Sequence, residues 1–270
     1  MGAMKVEGFA EVNGTRLYYE KAGAGQPLVL VNGFSLDMRM WDDQVATFAR
    51  QYEVIRYDAR GHGRSAPPGD RGFYHADDLK DLLNYLGCTR AYLLGLSWGA
   101  AVATEFALAY PEMAGALIVA DPVLWGHSWS PEYEASLGGL WEAGRTKGVE
   151  AARSLWLSHP MFAAALERPE VAERLVEIVS AYSGWHWTHD DPALLPDPPA
   201  AQRLEDIAVP TLAIVGERDV PDFHAIADEM STRIPGARKV VLPGAGHMSN
   251  MEDPARFNEV VLAFLSSILP

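Results

Sequence analysis

Tyr92-Leu93-Leu94-Gly95-Leu96-Ser97-Trp98-Gly99-Ala100-Ala101 decides how the rest of the chain reads. An aliphatic run ends in Gly-x-Ser-x-Gly. Residues 100–110 then follow, rich in alanine and free of Gly and Pro until the end, a pattern that predicts a helix. Strand, sharp turn, helix is the context in which this pentapeptide carries chemistry. The turn forces its central residue into a strained backbone conformation. Glycines at 95 and 99 remove side chains that would collide with the neighbouring strand and helix. Ser97 is therefore expected to project above the carboxyl end of a sheet, with a helix N-terminus behind it.

The chain of 270 residues is long enough for one large α/β domain with an insertion. Apolar residues make up 49% and charged residues 21%, as in soluble globular proteins. A net charge of −14, with Lys and Arg scattered, argues against nucleic acid and other polyanions. The single cysteine, Cys88, excludes an internal disulfide and reads as a small packed residue. Met1-Gly2-Ala3-Met4-Lys5-Val6 holds no apolar h-region, and no apolar run reaches membrane-spanning length. The expectation is a cytoplasmic protein without a membrane partner.

Residues 6–19 alternate around Asn13-Gly14, which predicts a tight hairpin. Residues 27–31, 52–57, 91–94, 116–120, 211–215 and 238–242 read as strands, several apolar throughout, as in a parallel sheet buried on both faces. Helices are expected at 41–49, 75–86, 222–233 and from Asp253-Pro254 to about 268. Between them the rhythm breaks. Residues 123–203 show helical patterns at 132–146, 149–157 and 171–182, no convincing strand, and a proline-dense close from Asp191-Pro192 to Pro199. The reading is an α/β core from 1–122 and 204–270 with a helical cap inserted at 123–203. Six of the eight tryptophans fall in that insertion.

In an open parallel sheet, functional groups gather beyond the carboxyl ends of the strands. Four such ends carry suitable groups here: Asn32-Gly33-Phe34, Ser97, Asp219 and His247. A serine hydroxyl is a weak nucleophile and needs a base to take its proton. Imidazole suits that task, and a carboxylate fixes its tautomer and stabilises the imidazolium. Ser, Asp, His is the chain order of the α/β-hydrolase fold.

Over essentially its whole length the sequence resembles the α/β-hydrolase superfamily. The matching pieces are Val29-Leu30-Val31-Asn32-Gly33-Phe34, Asp58-Ala59-Arg60-Gly61-His62-Gly63-Arg64-Ser65, the elbow, Gly216-Glu217-Arg218-Asp219 and Gly246-His247. Asn32, Met40-Trp41-Asp42 and Arg56-Tyr57-Asp58 resemble the 3-oxoadipate enol-lactonase branch in part. The resemblance implies an α/β-hydrolase fold, a mostly parallel doubly wound sheet with a helical cap. It also implies Ser97 as nucleophile, His247 as base, Asp219 as orienting acid, and an oxyanion hole from the N–H groups of Phe34 and Trp98. The activity implied is cofactor-free hydrolysis of a small carboxylic ester or lactone. Many members carry His where Asn32 stands, so the local hydrogen bonding is expected to differ. Many also carry a smaller residue than Trp98.

Other groups compete for these roles. Asp121 also ends a strand and is the rival acid; Asp222 reads as a helix cap. His62 reads as structural, Asp58 as the organiser of its own turn, and His75 and His224 as exposed. His186, His189, Asp190 and Asp191 form a metal-like cluster, but a cleft-lining loop is the better reading, so no metal is expected. Trp125, Trp129, Trp185 and Trp187 are candidates for lining an apolar pocket over Ser97, together with Asn32. A carbon–carbon bond hydrolase, a cofactor-free perhydrolase and a small-molecule receptor on the same fold remain open. A small-molecule substrate is the expected partner, and a homo-oligomer is compatible with the sequence.

Overall fold

The computed structural model describes residues 6–268. The Met1–Lys5 stretch, in which no signal segment is expected, lies outside the described residues. Eight strands form one sheet: β1 (Val6–Val12), β2 (Thr15–Gly23), β3 (Pro27–Val31), β4 (Glu53–Tyr57), β5 (Ala91–Leu96), β6 (Ala114–Ala120), β7 (Thr211–Gly216) and β8 (Arg238–Leu242). Their spatial order is β1-β2-β4-β3-β5-β6-β7-β8, parallel from β4 to β8, with β1 and β2 antiparallel at one edge. The hairpin between β1 and β2 turns at Asn13 (φ +44°) and Gly14 (φ +70°), two positive angles in succession as a two-residue hairpin turn requires. Every residue of β5, β6 and β7 is buried, which accounts for their unbroken apolar runs.

Helices cover the sheet. α1 (Asp42–Phe48) packs on the carboxyl-terminal α12 (Pro254–Ser267), and α2 (His75–Tyr85) packs on α3 (Trp98–Ala109). α10 (Pro221–Arg233) follows β7 and packs against it. Asp253 caps α12 as its sequence suggests, accepting the Arg256 N–H at 3.1 Å with Pro254 in the first turn.

The strand order reverses between β3 and β5, so the segments leaving these two strands lie side by side at the carboxyl edge. This adjacency needs glycine. A Cβ on Gly99 would lie 2.3 Å from the Val31 carbonyl oxygen, and one on Gly95 would lie 2.1 Å from the Gly99 carbonyl oxygen. Farther along the same edge, the loop after β8 crosses over the end of β7. There a Cβ on Gly216 would lie 2.1 Å from the Gly246 carbonyl oxygen.

Residues 123–203 leave the end of β6 and return at β7. They form α4 (Pro131–Ser136), α5 (Leu140–Lys147), α6 (Val149–Leu157), α7 (Ala163–Leu166), α8 (Pro169–Ala181) and α9 (Trp185–Thr188). The single helix expected over 132–146 is two: α4 ends at Ser136, and Gly139 at φ +78° breaks the run before α5 begins at Leu140. Among the described residues, no helix is long and apolar enough to cross a membrane.

Gly99→Ala tests the close approach. Its Cβ has only rigid backbone to push against, so unfolding in urea is expected to show a loss of about 2–3 kcal/mol or more. A variant as stable as the parent protein would show that the β3 and β5 segments are not held at this distance.

Candidate active site

Ser97 follows β5 at φ +56° and ψ −120°, a conformation that costs a non-glycine residue free energy. Hydrogen bonds over-determine it. The Ser97 N–H donates to the Ala120 carbonyl at 2.9 Å, and the Ser97 carbonyl accepts from Ala100 at 2.9 Å and Val123 at 3.1 Å. Two further non-glycine residues with positive φ, Ser35 (+62°) and Asp121 (+45°), stand at the ends of β3 and β6 on the same edge. Strain is thus concentrated where the strands deliver polar groups.

His247 is buried on the loop after β8. Its Nδ1 lies 2.8 Å from Asp219 Oδ2, and Asp219 Oδ1 accepts the Val220 N–H at 2.8 Å. A carboxylate at Nδ1 accepts a hydrogen bond from that nitrogen's N–H, which keeps the proton there and leaves Nε2 as a bare acceptor. Ser97 and His247 line one cavity of about 10 Å³, roughly what one water needs. Its other walls are Gly33, Phe34 and Leu36 after β3, Leu96, Met248, Trp156 on α6, and Met161 and Phe162 in the turn that follows α6. Larger surface clefts lie elsewhere: about 730 Å³ between β2, β4 and α1, and about 700 Å³ between residues 68–70 and 185–192. Neither holds Ser97, Asp219 or His247.

Among the described residues, no acceptor takes the N–H of Phe34 or of Trp98. Asn32 shapes the first of these. Its Nδ2 donates to the Gly33 carbonyl at 3.0 Å and the Leu36 carbonyl at 2.8 Å, closing the turn around Phe34. Asn32 is fully buried beneath this turn rather than in the cavity wall.

The four tryptophans expected over Ser97 stand elsewhere. Trp187 is fully buried, edge-on to Phe34 and Tyr182. Trp185 stacks on His189 at the surface cleft. Trp129 stacks on Tyr133 at 4.2 Å and meets Phe223, whose ring is 4.2 Å from His247. Trp125 is half-buried and its carbonyl accepts the Ala201 N–H. The tryptophan in the cavity wall is Trp156, and the reason is a hydrogen bond: its Nε1 donates to Ser35 Oγ at 2.6 Å. A tryptophan N–H must find a partner when buried, and the strained turn after β3 supplies one.

Asp121 is not the partner of His247. It accepts the Gly216 N–H at 2.8 Å and the Ser249 hydroxyl at 2.5 Å, and burial, with Asp219's charge next, pushes its pKa well above the usual carboxylate range. Asp222 does not cap α10 either. Its two oxygens accept the N–H and hydroxyl of Ser130, tying the insertion to the core. Asp58 organises its own turn, accepting the N–H groups of Met38 and Arg64.

Glu252 escapes a reading of the sequence. Its side chain is fully buried, and its two oxygens accept the N–H groups of Gly246 at 2.8 Å and Met248 at 3.1 Å, the residues on either side of His247. Arg168, from the insertion, donates to the carbonyls of Gly244 and Glu252. Together they fix the loop that carries the imidazole.

Three histidines pack beside Trp98 and Phe34. His75 is buried, contrary to expectation, with its ring 4.6 Å from that of Trp98; His224 is half-buried. His62 stacks on Tyr182 and lies 4.8 Å from His186, whose Nδ1 meets the Tyr182 hydroxyl at 2.5 Å. Among the described residues, no group of three or more His, Cys, Asp or Glu side chains is placed to hold a metal ion. Burial pushes the pKa of His62, His75 and His186 down to about 3.

The alpha/beta hydrolase family profile matches residues 28–260, and the chain belongs to this family of hydrolytic enzymes. It is 30% identical over 243 residues to the 3-oxoadipate enol-lactonase 2 of Acinetobacter baylyi, covering 88% of each chain. Among solved structures it is similar to the enol-lactonase of Burkholderia xenovorans LB400, with a TM-score of 0.78 and 28% identity over 96% of this chain and 100% of that one. It is also similar to a thermophilic esterase of Thermogutta terrifontis, with a TM-score of 0.83 and 29% identity over 97% and 99%.

The buried histidines make stability fall with acid. Each binds its proton near pH 6.5 when unfolded but only near pH 3 when folded. Unfolding therefore takes up protons between these values, and stability is full above about pH 6.5 and declines below it. His75→Phe removes one such group. Relative to the parent protein, it is expected to gain about 2 kcal/mol in urea unfolding on going from pH 7 to pH 5. An unchanged difference between the two pH values would contradict the burial of His75 in its neutral form.

Proposed function

We propose that the protein hydrolyses a small carboxylic ester or lactone through an acyl-enzyme, with Ser97 as nucleophile, His247 as general base and Asp219 as the acid that orients it. The observation that carries this reading is the Asp219–His247 hydrogen bond, which leaves His247 Nε2 bare in the cavity that Ser97 also lines. The names of relatives that are lactonases and esterases support the same class of reaction.

Ser97 Oγ attacks the carbonyl carbon while His247 Nε2 takes its proton. The carbonyl π electrons move to oxygen, and the N–H groups of Phe34 and Trp98 donate to that oxyanion. One such donor is typically worth about 3–4 kcal/mol in the transition state. The intermediate collapses with cleavage of the carbon–oxygen bond, and His247 gives its proton to the departing alkoxide. Water then takes the alcohol's place, loses a proton to His247, and attacks the acyl carbon to release the acid and restore Ser97. Residues 123–203 serve as the cap that encloses the acyl group, through Trp156, Met161 and Phe162. A serine at 97 sets this site apart from those that open epoxides or displace halide, which need a carboxylate there.

Ser97→Ala is expected to lower turnover of p-nitrophenyl acetate by on the order of 10⁴-fold or more. Retention of more than about a tenth of the parent rate would end this assignment.

A further inference from the structure

The space against Ser97 is both small and uncharged. Its cavity of about 10 Å³ is closed by the side chains of Leu36, Leu96, Trp156, Met161, Phe162 and Met248. Besides Ser97 and His247 its lining residues are apolar or aromatic, and among the described residues no lysine, arginine, aspartate or glutamate lines it. Ser97, Phe34 and Trp98 each keep partial exposure, so solvent reaches the hydroxyl from one side.

These two facts divide the substrate. In an acyl-enzyme the alcohol departs first and water must arrive where it stood, so the leaving group occupies the side open to solvent. The acyl group stays behind, against the wall. A methyl group is about the size of one water, and roughly one water is what the cavity holds. The wall does not yield freely. Trp156 is fixed by its bond to Ser35, and Phe162 packs at 5.5 Å from Trp156 and 6.5 Å from His247. A carboxylate brought into this space would lose its water and find no counter-charge, and the protein's net charge of −14 offers no compensating field.

Resting on the reading of Ser97 as nucleophile, we propose that the site selects esters of short, uncharged acyl groups, acetyl in size. It excludes acyl chains that end in a carboxylate. Met161 and Phe162 set the length limit, and the absence of a cation sets the charge limit.

The test compares kcat/KM for p-nitrophenyl acetate, butyrate, octanoate and monosuccinate in the parent protein, Phe162→Ala and Met161→Ala. Thermal unfolding of each variant shows that it is folded. The parent protein is expected to prefer acetate over butyrate by about 10-fold or more, with octanoate slower still. Either truncation is expected to raise the butyrate-to-acetate ratio by about 10-fold, while monosuccinate stays at least about 100-fold below butyrate in every form. Octanoate cleaved as fast as acetate by the parent protein would overturn the length limit, as would an unchanged ratio in both variants. Monosuccinate cleaved as fast as butyrate by an opened variant would overturn the charge limit. These ratios are read only from the activity that Ser97→Ala abolishes. Esters cleaved equally well by that variant would instead sink the assignment of Ser97 and leave the wall irrelevant.

Discussion

The close approach of two backbones, at the carboxyl ends of β3 and β5, governs the rest of this molecule. Gly99 lies so near the Val31 carbonyl that no side chain fits between them, and Gly95 is similarly pressed against Gly99. With both neighbours committed, Ser97 is left in a left-handed conformation that only its surroundings stabilise. The consequence is geometric. Ser97 lines one cavity with Phe34 and His247 and α3 begins at the next residue, which leaves two backbone N–H donors at this edge, that of Trp98 at the start of α3 and that of Phe34 in the cavity wall. Neither donor is committed to an acceptor within the described residues.

Residues 123–203 hold this edge on both sides. On one side Trp156 bonds Ser35, and the Phe34 ring is surrounded edge-on by Trp156, Tyr182, His186 and Trp187, with centroids 5.5–6.4 Å away. On the other, Arg168 holds the backbone of the loop bearing His247, which Glu252 grips from within. Ion pairs between Arg174 and Asp43, and between Arg39 and Glu177, join α8 to the core. Of the tryptophans in this segment, Trp156 and Trp187 pack on the Phe34 ring, and only Trp156 also lines the cavity that holds Ser97 and His247.

Much of this was legible in the sequence because the signals are local. Asn13-Gly14 demands two positive φ angles, Asp253-Pro254 starts a helix, and Gly95-x-Ser97-x-Gly99 makes sense only where strand turns into helix. The strand ends named Ser97, Asp219 and His247, and the structure joins the last two directly by a hydrogen bond. What escaped depends on distant partners. The choice of Trp156 over Trp125, Trp129, Trp185 and Trp187 is made by a hydroxyl 121 residues away in sequence. Glu252 carries no signal in the sequence, and its role is set only when the loop around His247 folds onto its carboxylate. His75 reads as an exposed helix start, yet Trp98 and Phe73 cover it. Residues 132–146 read as one helix, because helical periodicity survives across Gly138-Gly139 even though the backbone does not.

The claim on which the account turns is that one hydroxyl, among all those in the chain, is activated by one imidazole. Labelling with a fluorophosphonate, followed by mass mapping of the peptides, measures this directly. A single phosphonylated residue at Ser97, lost on replacing His247 with alanine, is the result the account predicts. Modification at another residue, or labelling of Ser97 that persists undiminished without His247, would contradict it.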